Sequence, residues 1–117
     1  MTGYSSTSFG VSLVGSGSAT PAQKVSNDQL SLLVETNDEW VASRTGIRQR
    51  RIIGPDESIS DLCFRAARSA LTMANWDPKS IDLILLATST PDDLFGMAPK
   101  VQAKLGAHNA VAFDLTA

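Results

Sequence analysis

The sequence predicts an α/β layered fold, and three observations carry that prediction. Ile59, Leu62, Cys63, Ala66, Ala67, Ala70, Leu71 and Ala74 recur at three- and four-residue spacing, the mark of a helix with one apolar face. The run Ile81-Asp82-Leu83-Ile84-Leu85-Leu86-Ala87 reads as a strand covered on both faces. Between and around them the local signals order as strand, helix, helix, strand, helix, strand, helix, strand, the alternation that layered sheets and helices produce. A chain of 117 residues with 43% hydrophobic and 19% charged residues is expected to form a core-bearing globular unit.

Residues 1–8 are polar and are expected to form a loose tail, with the folded domain spanning 9–117. Residues 9–14 read as a strand that runs into Gly15-Ser16-Gly17-Ser18, and Pro21 marks a loop. Asn27 is the expected N-cap of a helix through Val34, with Leu30, Leu33 and Val34 on one face. Asn37 or Asp38 caps a second helix over 39–44, which Gly46 closes in a left-handed conformation. Residues 47–53 alternate as a strand does. Ser58 and Asp61 form a variant capping box ahead of the amphipathic helix. Asp77-Pro78 starts a turn, the strand at 81–87 follows as a parallel, central one, and 98–105 is helical because Pro99 falls in a first turn. The last apolar strand, 110–115, arrives with no covering element after it, so apolar surface is expected to be exposed there.

Composition excludes several classes of function. A net charge of -2 argues against nucleic acid and anionic membrane surfaces, which select an excess of Lys and Arg. Cys63 is the sole cysteine, so neither an intrachain disulfide nor a multi-cysteine metal site can form, and a reducing cytoplasm fits best. The first residues lack the basic flank and apolar run of a secretory signal. The longest apolar run, 83–87, falls far short of the roughly 20 residues a bilayer requires.

Several residues invite chemical readings that their contexts weaken. Gly15-Ser16-Gly17 follows a strand but lacks the third glycine and the helix of a dinucleotide-binding turn, and reads better as a close-packed turn. Cys63 lies on an apolar helical stripe and reads as packing; His108 sits in a polar turn without an acidic partner. Asp92-Asp93 reads as a helix cap or a solvated pair. Trp40 and Arg44 differ: four residues apart on a helix, they join an aromatic surface to a fork of donors, a pair suited to a nucleotide base and its phosphates. The alternative is that Trp40 anchors the helix to the core and Arg44 is a solvated charge. Arg44, Arg48, Arg50 and Arg51 also make a local cationic patch, either the polar face of a strand or an attractor for a phosphorylated cofactor or acidic protein.

Taken in order, Gly15-Ser16-Gly17 with Pro21, Thr36-Asn37-Asp38-Glu39-Trp40, Arg44-Thr45-Gly46-Ile47-Arg48, Ala87-Thr88-Ser89-Thr90-Pro91-Asp92 and Ala112-Phe113-Asp114-Leu115 resemble the β-ketoacyl-acyl-carrier-protein synthase III family over about residues 9 to 117. The resemblance implies a thiolase-like layered fold, here the incomplete N-terminal half of a duplicated αβαβα architecture, and a homodimeric acyltransferase. It implies a decarboxylating Claisen condensation of acetyl-CoA with malonyl-acyl carrier protein that initiates fatty-acid synthesis, with no permanently bound cofactor and no metal. It further implies that Trp40 stacks on the CoA adenine, Arg44 contacts CoA phosphates, Thr36 and Thr45 line that region, and Phe95 reaches into the partner's acyl pocket. The family's catalytic cysteine lies shortly beyond the strand matching 112–117, and its histidine and asparagine further on. No residue of this chain is therefore assigned to catalysis, and the chain alone is expected to be inactive. A non-catalytic interaction domain and a condensing enzyme using another acyl-CoA primer are the alternatives.

Overall fold

Hydrogen bonds rather than apolar contacts organise the first structured region. The computed structural model describes residues 10–92 and 94–116; the expected tail, Phe9 and Asp93 lie outside the described residues. Strand β1, Gln23–Ser26, pairs antiparallel with β2, Gln49–Ile52, placing Val25 opposite Arg50 and Ser26 opposite Gln49. Between them run two helices, α1, Asn27–Ser31, and α2, Asp38–Thr45. Ser26, not Asn27, caps α1: its hydroxyl accepts from Gln29 N at 3.1 Å while Gln29 Oε1 accepts from Ser26 N at 2.9 Å, a reciprocal box. Asn27 is instead buried inside the region. Helix α1 stops before Val34, and Leu32, Leu33 and Val34 remain exposed, so the apolar face expected of a longer helix is not buried. Asn37 caps α2 by accepting from Trp40 N at 2.8 Å, and Gly46 closes it at φ +71°, a left-handed conformation that glycine adopts without Cβ strain.

The second region is a βαβ unit with one further helix. Strand β3, Leu83–Ala87, and strand β4, Val111–Leu115, pair in parallel, with helix α4, Ala98–Leu105, as the crossover. Helix α3, Ile59–Ala74, packs beside α4, and a single 3-10 turn, Pro78–Ser80, leads into β3. The core is formed by Leu86, Met97, Ala98 and Val101, with Ile59, Cys63, Ile84, Leu105 and Ala112 packed against it. Ser58 caps α3 as expected, accepting from Asp61 N at 3.1 Å and donating to Asp61 Oδ2 at 2.7 Å.

Two carboxylates reach across the chain to finish helix ends. Asp92 accepts from Ile59 N at 3.1 Å and Ser60 N at 3.0 Å, so it serves α3, an earlier helix, rather than the next one. Helix α4 lacks a side-chain cap of its own, and Asp114 of β4 supplies it, accepting from Met97 N at 2.5 Å and Ala98 N at 2.6 Å.

Three expectations are corrected. Residues 10–14 form no strand: Val11 is 99% exposed and Leu13 91%, because no described strand exchanges backbone hydrogen bonds with them. Strand β3 is not covered on both faces, since Ile84 and Leu86 point to the core while Leu83 and Leu85 are half exposed beside Val111, Phe113 and Leu115. Its one described neighbour is β4, so it is not central among the described residues. The expected single core is accordingly small: every buried apolar side chain among the described residues belongs to the second region.

The glycine pair takes the packing role. A Cβ on Gly17 would lie 2.1 Å from Ala66 O and 2.7 Å from Ala70 N, and one on Gly15 would lie 2.4 Å from Ala70 O. The segment around residues 15–17 thus lies directly on the alanine face of α3, a distance that only glycine permits.

Candidate functional site

Trp40 and Arg44 project from α2 as the four-residue spacing requires. The Arg44 guanidinium stands over the Trp40 ring, 4.5 Å from its centroid, a cation–π contact on the protein surface. Trp40 is 52% exposed, and α2 buries no residue at all, so Trp40 is not the core anchor of the bland alternative. The stack covers one side of the indole and leaves area for a second planar group.

A cleft of about 270 Å³ lined by Asn37, Glu39, Trp40, Ser43 and Arg44 lies beside a smaller one of about 200 Å³ lined by Glu35, Thr36, Asn37 and Trp40. Trp40 and Asn37 belong to both. In the smaller cleft the Thr36 hydroxyl is buried without a hydrogen-bond partner. A buried polar group left unmatched costs about 1–3 kcal/mol. Thr45 stands apart: its hydroxyl donates to Val41 O at 2.8 Å and accepts from Ile47 N at 3.1 Å, and so helps close α2. It lines neither cleft.

The other arginines of the cationic patch are engaged with protein. Arg48 pairs with Asp38 at 2.7 Å, Arg50 donates to Val25 O at 3.2 Å and to Asn27 Oδ1, and Arg51 donates to the carbonyls of Pro21 and Ala22 at 2.9 and 3.1 Å. Of the four, Arg44 alone stands over an aromatic ring beside a cleft.

Phe95 lies in the second region, on the loop between β3 and α4, and is 92% exposed next to Leu94 at 97%. A further concavity of about 420 Å³, which sequence reasoning did not single out, is lined by Ala87, Thr88, Ser89, Leu115 and Thr116. It sits at the carboxyl ends of two parallel strands, where α/β sheets characteristically bind ligands.

The remaining candidates fall away on chemistry. Cys63 is partly buried against the core, and burial first, then the charges of Asp92 and Asp114, push its thiol up, so the nucleophilic thiolate is disfavoured. His108 is exposed in the turn after Gly106. Among the described residues no group of three His, Cys, Asp or Glu is placed to hold a metal, and no helix is long and apolar enough to cross a membrane.

No protein-family model matches the chain. Against curated proteins it is 73% identical over 117 residues to the β-ketoacyl-[acyl-carrier-protein] synthase III of Prochlorococcus marinus, covering all of this chain and 35% of that protein. The corresponding protein of a Synechococcus species is 64% identical over the same 117 residues, again with 35% of its length covered. Among solved structures, 3-oxoacyl-[acyl-carrier-protein] synthase III from Aquifex aeolicus aligns with a TM-score of 0.83 and 43% identity over 89% of this chain and 34% of its own. The priming β-ketosynthase of the R1128 polyketide pathway aligns with a TM-score of 0.84 and 40% identity over 90% of this chain and 32% of its own. The chain thus spans about a third of the length of the relatives it matches, and its two regions form part of a thiolase-like fold. With that identity running along the whole chain and the same backbone path in the solved structures, the chain belongs to the β-ketoacyl-[acyl-carrier-protein] synthase III family.

Proposed function

We propose that this chain supplies the CoA-facing surface of a condensing enzyme that joins acetyl-CoA to malonyl-acyl carrier protein with loss of carbon dioxide. The observation that carries the reading is the Trp40–Arg44 stack, half exposed and flanked by a cleft holding the unpartnered Thr36 hydroxyl. In this reading the free indole surface takes the adenine, Arg44 turns its donors toward the phosphates, and Thr36 lines the adjoining cleft. Thr45 contributes by shaping the end of α2. CoA is a substrate here and no permanent cofactor is invoked.

The bond-making groups, a cysteine nucleophile with a histidine and an asparagine, are supplied by residues outside these 117. The enzyme acts as a homodimer in which the exposed Phe95 enters the partner's acyl pocket, in a cytoplasmic setting suited to a lone reduced cysteine. A second reading, a condensing enzyme with a different acyl-CoA primer, is favoured by the 40% identity to a priming ketosynthase of a polyketide pathway.

Titrating CoA against tryptophan fluorescence of the chain tests the surface. Binding should appear and weaken about tenfold or more in Arg44→Ala, since charge-assisted phosphate contacts are the strong ones. A folded chain whose fluorescence ignores CoA would sink the proposal and leave the interaction-domain alternative. Extending the polypeptide to the full coding sequence and assaying condensation with a panel of acyl-CoA primers decides between the two enzyme readings, and the chain alone should leave both substrates unconsumed.

A further inference from the structure

We propose that Asn27 is a positioning residue for the Trp40–Arg44 surface, a single buried amide that ties both ends of α2 to the β1–β2 sheet. The inference deepens the CoA reading and rests on it. Helix α2 is eight residues long and buries none of them fully; of its apolar side chains only Val41 and Ala42 are half-buried, so apolar packing holds its angle weakly, and a free helix of that length is marginal in water. Its placement comes chiefly from its ends.

Asn27 reaches both. Its Nδ2 donates to Asp38 Oδ1 at 2.8 Å, at the first residue of α2, and to Ile47 O at 2.7 Å, just past the Gly46 cap. Its Oδ1 accepts from Arg50, and its backbone N donates to Arg48 O at 3.1 Å on the approach to β2. Arg48 then closes the ring by pairing with the other Asp38 oxygen at 2.7 Å. Both amide donors are spent on α2 and its exit, the acceptor on the sheet, and the residue is 1% exposed. Trp40 lies two residues inside the first tie and Arg44 three residues before the second. A side chain that fixes two points on one short helix fixes its rotation as well as its distance, and so decides where the indole and guanidinium stand relative to the clefts.

The test uses the chain carrying Trp76→Phe, which leaves Trp40 as its one tryptophan of two. The indole N–H resonance of Trp40 and the Kd for CoA are measured with and without Asn27→Leu. The substitution should move or broaden the Trp40 resonance and raise the Kd about tenfold or more, while the Met97 methyl signal of the second region stays in place. The swap Asn27→Asp with Asp38→Asn restores the bond between the two positions but leaves Ile47 O without its donor, so it should recover part of the affinity and not all of it. A folded Asn27→Leu chain with unchanged Trp40 resonance and unchanged Kd overturns the proposal. Should that variant lose the β1–β2 pairing, Asp38→Ala at a part-exposed position cuts the first tie together with the Arg48 pair and leaves the Ile47 tie in place, and an unmoved Trp40 resonance there overturns the proposal equally. Failure of the parent chain to bind CoA strikes the underlying reading instead, and the resonance still decides whether Asn27 sets the attitude of α2.

Discussion

The β1–α1–α2–β2 region and the β3–α4–β4 region with α3 are built on opposite principles. The first buries one amide and no apolar side chain; the second buries Leu86, Met97, Ala98, Val101, Ala107 and Ala110. Directional bonds set positions to within tenths of an ångström but contribute little net stability each, whereas apolar burial stabilises without choosing an orientation. The region that carries the nucleotide-suited pair is therefore the precisely oriented one, and the region that carries the stability is the packed one. That division predicts which substitutions unfold the chain and which only misplace its surface groups.

The largest effect is expected in the packed region. Met97 is fully buried, and its Sδ also accepts from Asp92 N at 3.2 Å. Met97→Ala should cost about 2–5 kcal/mol, the range for truncating a buried long side chain to alanine. Urea unfolding of the chain measures it. A cost below that range would mean that the small cluster is not what holds α3 and α4 to the sheet, and the contrast between the regions would fail.

Next comes the seam where residues 15–17 lie on α3. Gly17→Ala drives a Cβ into the backbone of Ala66 and Ala70, atoms that no rotamer change can move aside. Overpacking of this kind costs about 1–3 kcal/mol. The strain can be released by lifting the segment off α3, so amide exchange at residues 15–19 should quicken while α3 keeps its protection. Unchanged exchange in Gly17→Ala would show that the close approach carries no weight.

The cap on α4 should rank third. Asp114→Ala removes the acceptor for Met97 N and Ala98 N, and helix α4 has no local substitute. Loss of a good cap costs about 0.5–2 kcal/mol. Asp114→Asn, which keeps one acceptor but not the charge, should fall between wild type and alanine in thermal midpoint. Equal midpoints for the two variants would assign the effect to charge at the helix N-terminus rather than to the acceptor that asparagine keeps.

How much of this was legible in the sequence follows the same division. Local, periodic signals were read correctly: α3 with its Ser58 cap, α2 between Asn37 and Gly46, the strands at β2, β3 and β4, and Pro99 in a first turn. The Trp40–Arg44 pair was legible because helical spacing alone brings the two groups together. Strand β1 was missed because Gln23-Lys24-Val25-Ser26 carries almost no apolar alternation and exists through its pairing with β2. The Ser26–Gln29 box was present as a signal and was passed over in favour of Asn27 as cap. Asp92 on α3 and Asp114 on α4 could not be read, since 33 and 16 residues separate partners that only the fold brings together. The one clue was an acid inside an apolar strand, which must find donors if it faces a core.

The smallest expected effect sits where α3 and α4 meet. Asp61 of α3 pairs with Lys104 of α4 at the surface, and its carboxyl is held below its ordinary value of 3.8 by the Lys104 hydrogen bond first and the Ser58 hydroxyl second. A carboxylate whose folded value is depressed favours the folded state wherever it is ionised, above 3.8, and that contribution is lost as the pH falls through the depressed value. Exposed pairs of this kind contribute little and are screened by salt. Thermal midpoints of the chain should therefore fall on acidification below about pH 4, and Lys104→Met, which removes the larger of the two causes, should make that acid limb shallower without altering the midpoint's pH dependence near neutrality. The Ser58 bond remains in that variant, so the limb should be reduced and not abolished. An acid limb identical in the two proteins would show that the Lys104 pair does not set the acid sensitivity of the chain.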